Sequence, residues 1–129
     1  MKILVMHSDK DLLWAIEETI NRFLESSPIS GSDIRFHLCT NTRAAHRIFN
    51  EVQPDIVILN HRWSSNPQAE ETGLAFAVDL LRGLNRPVLF IIASADGSIG
   101  DECQKNGIQY IEANFKNITE AIEYQLELA

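Results

Sequence analysis

Three runs of unbroken apolar residues set the terms for this chain: Ile3-Leu4-Val5-Met6, Ile56-Val57-Ile58-Leu59 and Val88-Leu89-Phe90-Ile91-Ile92. A strand with one face in water alternates apolar and polar residues, whereas a strand covered on both faces has no place for a polar one. These runs therefore read as interior strands of a parallel sheet. Parallel neighbours need long crossovers, and segments of helical length separate the runs.

Read in order, the chain alternates strand and helix five times. After the strand Ile3 to Met6, Asp9 and Asp11 offer an N-cap or first-turn acid for a helix running to about Ser26. Leu13, Ile16, Ile20, Phe23 and Leu24 share one face of it. The turn-rich stretch Ser27 to Asp33 leads into a shorter, alternating strand, Ile34 to Cys39, expected near a sheet edge. Thr42 opens a second helix through Val52. Pro54 sets a turn before the strand that ends at Asn60, and a polar loop, Ser64 to Glu71, precedes a helix from about Thr72 to Leu84. Pro87 launches the fourth strand, Val88 to Ile92. A weaker helix, roughly Ser98 to Asn106, a fifth strand, Gln109 to Ile111, and a last helix, Ile118 to Leu128, complete the series. No internal repeat interrupts it.

Right-handed crossovers of this kind build an α/β fold: a five-stranded parallel sheet with helices on both faces, for which the flavodoxin-like order 2-1-3-4-5 is expected. The first and third strands are then central neighbours. Their carboxyl ends, His7-Ser8-Asp9 and Asn60-His61-Arg62, meet at the top of the sheet, where open α/β folds gather their chemistry.

Composition narrows the function classes. The chain has 129 residues, 45% of them hydrophobic, which suits a single domain spanning 1–129 with one proper core. Eighteen acidic against eleven basic residues give a net charge of -7, and no basic cluster offers itself to phosphates, so nucleic acid is not an expected partner. The apolar start before His7 is too short for a signal-peptide core or a membrane span, so the chain is expected to be cytoplasmic and not membrane-bound. Cys39 and Cys103 lack the density of a disulfide scaffold and the C-x-x-C spacing of a zinc or redox site; both read as free thiols. No P-loop, dinucleotide fingerprint or spaced Ser-His-Asp set is present, so no enzyme and no cofactor is expected.

The segment Pro54-Asp55-Ile56-Val57-Ile58-Leu59-Asn60, together with Met1-Lys2-Ile3-Leu4-Val5-Met6-His7-Ser8-Asp9, resembles the receiver domain of two-component response regulators (CheY-like), and the resemblance runs through nearly the whole chain. It implies a site in which a carboxylate at the end of strand three accepts a phosphoryl group, helped by Mg²⁺ held on an acidic pair at the end of strand one. A hydroxyl residue ending strand four and a Lys ending strand five complete that set. Carried over position by position, the acidic pair falls on His7 and Ser8, with only the neighbouring Asp9 acidic, and the acceptor falls on Asn60. Counting from Pro87 puts Ile92 at the hydroxyl position, and a small shift admits Ser94. Ala113 stands where the Lys belongs, and Lys116 follows at the start of the last helix. What is retained belongs to the fold: the strand cores, Gly73, Gly107 and Tyr110. An amide cannot accept a phosphoryl group, and one carboxylate holds Mg²⁺ poorly. The resemblance therefore implies a degenerate pseudo-receiver with a vestigial phosphorylation site at His7, Ser8, Asp9, Asn60, Ile92, Ser94 and Ala113.

Function then rests on surfaces. Trp14 falls opposite the apolar face of the first helix, beside Glu17 and Glu18, and Tyr124 is similarly out of phase on the last helix, which packs beside the first. Exposed large aromatics are preferred interface anchors, and Tyr110 at strand five is a third candidate, read as a fixed ring facing a partner. The leading expectation is a protein-interaction module in signal transduction, acting by docking to a signalling protein or by self-association. The competing one is a small-ligand or metal sensor reusing the pocket above Asn60. His7 and His61 with Asp9 suggest a transition-metal site, but their spacing matches no ligand motif, and no metal is expected. Asn60 itself has the plainer role of hydrogen-bonding within a closed pocket.

Overall fold

The computed structural model describes residues 1–26, 34–61 and 72–128. Strand β1 (Lys2–Met6) is followed by α1 (Lys10–Ser26), β2 (Arg35–Cys39), α2 (Thr42–Val52), β3 (Ile56–Asn60) and α3 (Gly73–Leu81). Then come β4 (Leu89–Ser94), a 3₁₀ turn at Gly97–Ile99, α4 (Gly100–Lys105), β5 (Gln109–Glu112) and α5 (Phe115–Leu128). The five strands form one parallel sheet in the order β2-β1-β3-β4-β5, as the apolar runs predict.

Period-two side-chain alternation divides the core between the two faces. Ile3, Val5, Ile56, Ile58, Ile91 and Ala93 pack against Leu13, Ile16 and Ile20 of α1 and Ile118, Ile122 and Leu126 of α5. The intervening Leu4, Met6, Val57, Leu59, Phe90 and Ile92 pack under α2, α3 and α4 through Ala45, Phe49, Phe76, Ala77 and Cys103. Two-sided burial explains why the three central strands carry no polar residue between their two ends.

Helix starts follow side-chain caps, and this accounts for the shifted boundaries. Asn41 accepts from the Ala44 amide at 2.8 Å, and Thr72 accepts from Ala75 at 3.2 Å. Asn114 accepts from the Asn117 amide at 2.7 Å, so α5 begins at Phe115 rather than Ile118. Its first turn is polar and carries no apolar periodicity to read. Helix α3 ends at Leu81, ahead of the expected Leu84, where the chain turns with the Leu84 amide bonded to the Leu81 carbonyl. Strand β4 runs on to Ser94, two residues past Ile92.

Both cysteines are buried and free. Burial pushes the Cys39 thiol up to about 11, against a smaller opposing effect of a backbone hydrogen bond from Asn41. Cys103 is raised by burial and by the charge of Glu102. Neither is a thiolate at neutral pH, so neither is a nucleophile there.

Gln53 caps α2 in the left-handed region, with φ 56 and ψ 65, and its amide bonds to the Phe49 carbonyl. Side chains with a Cβ are strained in that region by about 1–2 kcal/mol, partly offset in a glycine variant by the greater entropy of the unfolded chain. Gln53→Gly is therefore expected to stabilise the protein by about 0.5–1 kcal/mol and to raise the melting temperature by roughly 2–4 °C. A lower melting temperature in a calorimetric scan would contradict this account of the cap.

Candidate functional site

The carboxyl ends of β1, β3 and β4 converge at the top of the sheet because the parallel register sets Met6 beside Leu59 and Asn60 beside Ala93. The residues that end β1 and β3 are joined there by neutral groups. Asn60 is buried, and its amide group donates to the Ser8 hydroxyl at 3.5 Å, the long end of hydrogen-bond range, bridging the ends of β1 and β3.

His7 and Asp9 are occupied by the start of α1. The Asp9 carboxylate accepts from the Asp11 amide at 2.9 Å and the Leu12 amide at 3.3 Å, the bonds of an N-cap. The Asp9 amide in turn donates to His7 Nδ1 at 3.0 Å. A ring nitrogen that accepts cannot carry a proton, so this geometry fixes His7 as the neutral Nε2–H tautomer. Burial lowers the His7 pKa from its ordinary value, and the nearby Asp9 charge only partly opposes it.

Ser94 ends β4. Its hydroxyl accepts from the Asp96 amide at 3.0 Å, and its carbonyl takes both the Ala113 amide and the Tyr110 hydroxyl at 3.0 Å. Ile92, the residue reached by counting from Pro87, is fully buried in the core under α2 to α4. It lies two residues before the strand end and cannot present a group there, whereas Ser94 stands at the end itself. Ala113 packs against the core on the α1 and α5 side. Lys116 does not replace the missing lysine: it lies exposed on α5, 3.9 Å from Glu120 one turn along.

Gly73 shows why backbone closeness shapes this region. A Cβ added there would overlap the Asn60 carbonyl, and the Gly73 amide donates to the His61 carbonyl at 2.9 Å. The start of α3 thus rests on the end of β3, which only glycine allows. His61 is itself buried, its amide bonded to the Ala93 carbonyl at 3.0 Å. Among the described residues, no three His, Cys, Asp or Glu side chains gather as a metal site. The polar loop Ser64 to Glu71 lies outside the described residues.

The aromatic candidates separate. Trp14 and Tyr124 are 68% and 60% exposed, as their phase on the helices implies. They line separate grooves. Trp14 lines a groove of about 400 Å³ between α1, the end of β2 and α2, with Lys10, Leu38, Arg47 and Ile48. Tyr124 lines one of about 350 Å³ beside β5, with Gln109 and Ile111. Trp14 thus stands toward the β2 side of the sheet and Tyr124 toward the β5 side. Tyr110, expected to face a partner, turns inward, half-buried against the core with its hydroxyl on Ser94. Sequence reading missed Arg47 and Ile48, whose helical face gives no signal until α1 and α2 are placed around the same strand.

No protein-family model and no curated protein sequence matches the chain. Solved structures do. The receiver domain of a NarL response regulator from Mycobacterium tuberculosis is 15% identical, with TM-score 0.67, covering 98% of this chain and 95% of that one. The Francisella response regulator 1452 receiver domain is 18% identical, with TM-score 0.69 and coverage of 98% and 93%. The non-phosphorylated HemR receiver domain from Leptospira biflexa is 14% identical, with TM-score 0.71 and coverage of 99% and 95%. The fold is that of response-regulator receiver domains. At such identities the likeness speaks for the fold alone.

A half-buried, neutral His7 has a thermodynamic consequence. In the unfolded chain it takes up a proton near its ordinary value of about 6.5, and in the native state only at lower pH. The unfolded state then binds more protons in that window, so stability falls as pH drops below about 7. We expect urea unfolding at pH 7.5 and 5.5 to show a larger loss for the parent than for His7→Gln. Equal losses would mean that His7 is not held neutral by the fold.

Proposed function

We propose that this domain is a phosphorylation-independent pseudo-receiver that serves as a protein-interaction module in signal transduction. The observation that carries the reading is the pair formed by Asn60 and Ser8 at the ends of β3 and β1. Phosphoryl transfer to a receiver forms a mixed anhydride on a carboxylate oxygen, and the nitrogen of an amide is no substitute for that nucleophile. Divalent magnesium wants several hard oxygens with negative charge, and the residues here supply a neutral imidazole, a hydroxyl and an amide. The neighbouring carboxylate of Asp9 is engaged in capping α1.

The receiver fold supports placing the domain in signalling, and the exposed Trp14 supports a docking role. The competing reading is a ligand or metal sensor above Asn60.

Incubation with acetyl phosphate and Mg²⁺ tests the proposal directly. Intact-mass analysis is expected to show the unmodified chain, and beryllofluoride with Mg²⁺ is expected to leave its amide spectrum unchanged. Asn60→Asp alone is expected to remain unmodified too, because His7 and Ser8 still offer no carboxylate to Mg²⁺. A stoichiometric adduct on the parent that alkali removes would end the pseudo-receiver reading.

A further inference from the structure

The sheet has two edges, and β2 forms one of them. The Arg35 amide donates to the Met1 carbonyl at 3.0 Å, and the His7 amide donates to the Cys39 carbonyl at 3.1 Å. Arg35, His37 and Cys39 therefore direct their main chain toward β1, and by strand alternation Phe36 and Leu38 direct theirs outward. Among the described residues nothing pairs with that outward row. Beside it lies the groove of about 400 Å³ that holds Trp14.

Chemistry in the groove selects an occupant. Leu13, Leu38, Ala44 and Ile48 give it an apolar lining, and Trp14 stands at its wall as a rigid aromatic anchor. Lys10 on α1 and Arg47 on α2 flank it, against Glu17 as the one acid of the lining. Neither base forms an ion pair among the described residues. Arg35 adds a third cation along the same edge. The chain as a whole carries -7, but charges more than about 8 Å away are screened at physiological salt, so an approaching segment senses the local bases.

We propose that the β2 edge and this groove bind an extended, acidic segment of another protein, added as a sixth strand. Its main chain pairs with Phe36 and Leu38, an apolar side chain enters beside Trp14, and a carboxylate lies between Lys10 and Arg47. A helix would offer no main-chain partners to the edge. A second copy would bring two sets of Lys10, Arg35 and Arg47 together. The proposal deepens the interaction-module reading and rests on it.

The test selects displayed random heptapeptides against the intact domain and titrates the selected peptides into ¹⁵N-labelled protein. Expected are sequences alternating apolar and acidic residues, perturbation and slowed exchange of the Phe36 and Leu38 amides, and affinity that falls as salt rises. Trp14→Ala and Arg47→Glu, both at exposed positions, are expected to weaken binding about thirtyfold and about tenfold respectively while the melting curve stays that of the parent. The proposal is overturned if no peptide is selected, if binders map elsewhere, or if binding is indifferent to both substitutions. Sedimentation showing dimers that these substitutions dissolve would assign the edge to a second copy instead. Failure here leaves the phosphorylation-independent reading standing, whereas a phosphoryl adduct in the mass experiment would end that reading and leave peptide capture as a separate result.

Discussion

Everything in this molecule follows from burying β1, β3 and β4 on both faces. Ile3 to Met6, Ile56 to Leu59 and Phe90 to Ala93 are all buried, each larger side chain contributing about 1.5–3 kcal/mol relative to exposure. Their backbone groups are satisfied in the ladder, so polar chemistry is confined to where the strands stop. A neutral hydrogen bond at those ends contributes only about 1 kcal/mol net. The sheet therefore outweighs its own rim by an order of magnitude. Residues at the rim can be exchanged without loss of the fold, which is how a receiver-like scaffold carries His7, Ser8 and Asn60.

The same asymmetry decides what the sequence could disclose. Unbroken apolar runs dictate strands, and their spacing dictates crossovers, so the sheet order was legible before any coordinates. Asp9 was legible as a cap of the first helix. Asn114 was not, because its helix begins with the polar turn Lys116-Asn117 behind an exposed Phe115. Counting through the fourth strand reached Ile92 because nothing in an apolar run marks where it ends; the ladder places the end at Ser94. Trp14 and Tyr124 were recognisable as exposed from helical phase. That they face different edges depends on how α1 and α5 rotate over the sheet, which a wheel drawn for one helix does not contain. Tyr110 escaped for a related reason: its hydroxyl finds a main-chain carbonyl on another strand, and side-chain periodicity does not encode main-chain acceptors.

Electrostatics at the strand ends distinguishes this pocket from one built of carboxylates. Two like charges about 4 Å apart repel by roughly 4 kcal/mol at the effective dielectric of a protein surface, and a bound cation relieves that repulsion. Asn60, Ser8 and neutral His7 carry no such stress. Asp9 is stabilised where it stands, since a carboxylate at a helix N-terminus is favoured by the unpaired amides of the first turn. On the proposed reading, the top of the sheet is thus at rest without an ion.

A pocket at rest has implications for how the domain could act. A ligand shifts a conformational equilibrium only by its differential affinity for two states, and a phosphoryl group does so by placing new charge where one state has donors for it. Here the Tyr110 hydroxyl is tied to the Ser94 carbonyl, and the Ser94 hydroxyl accepts from the Asp96 amide. On the proposed phosphorylation-independent reading, control comes through surface occupancy. The β2 edge suits that role because its outward main chain belongs to a rigid ladder with β1, so a partner finds its hydrogen-bonding row already ordered. Binding at such an edge requires little rearrangement of the domain, and the entropy of ordering falls mainly on the incoming segment. Specificity would then reside in the side chains that flank the edge, Trp14 for shape and Lys10 with Arg47 for charge, rather than in any chemistry at Asn60.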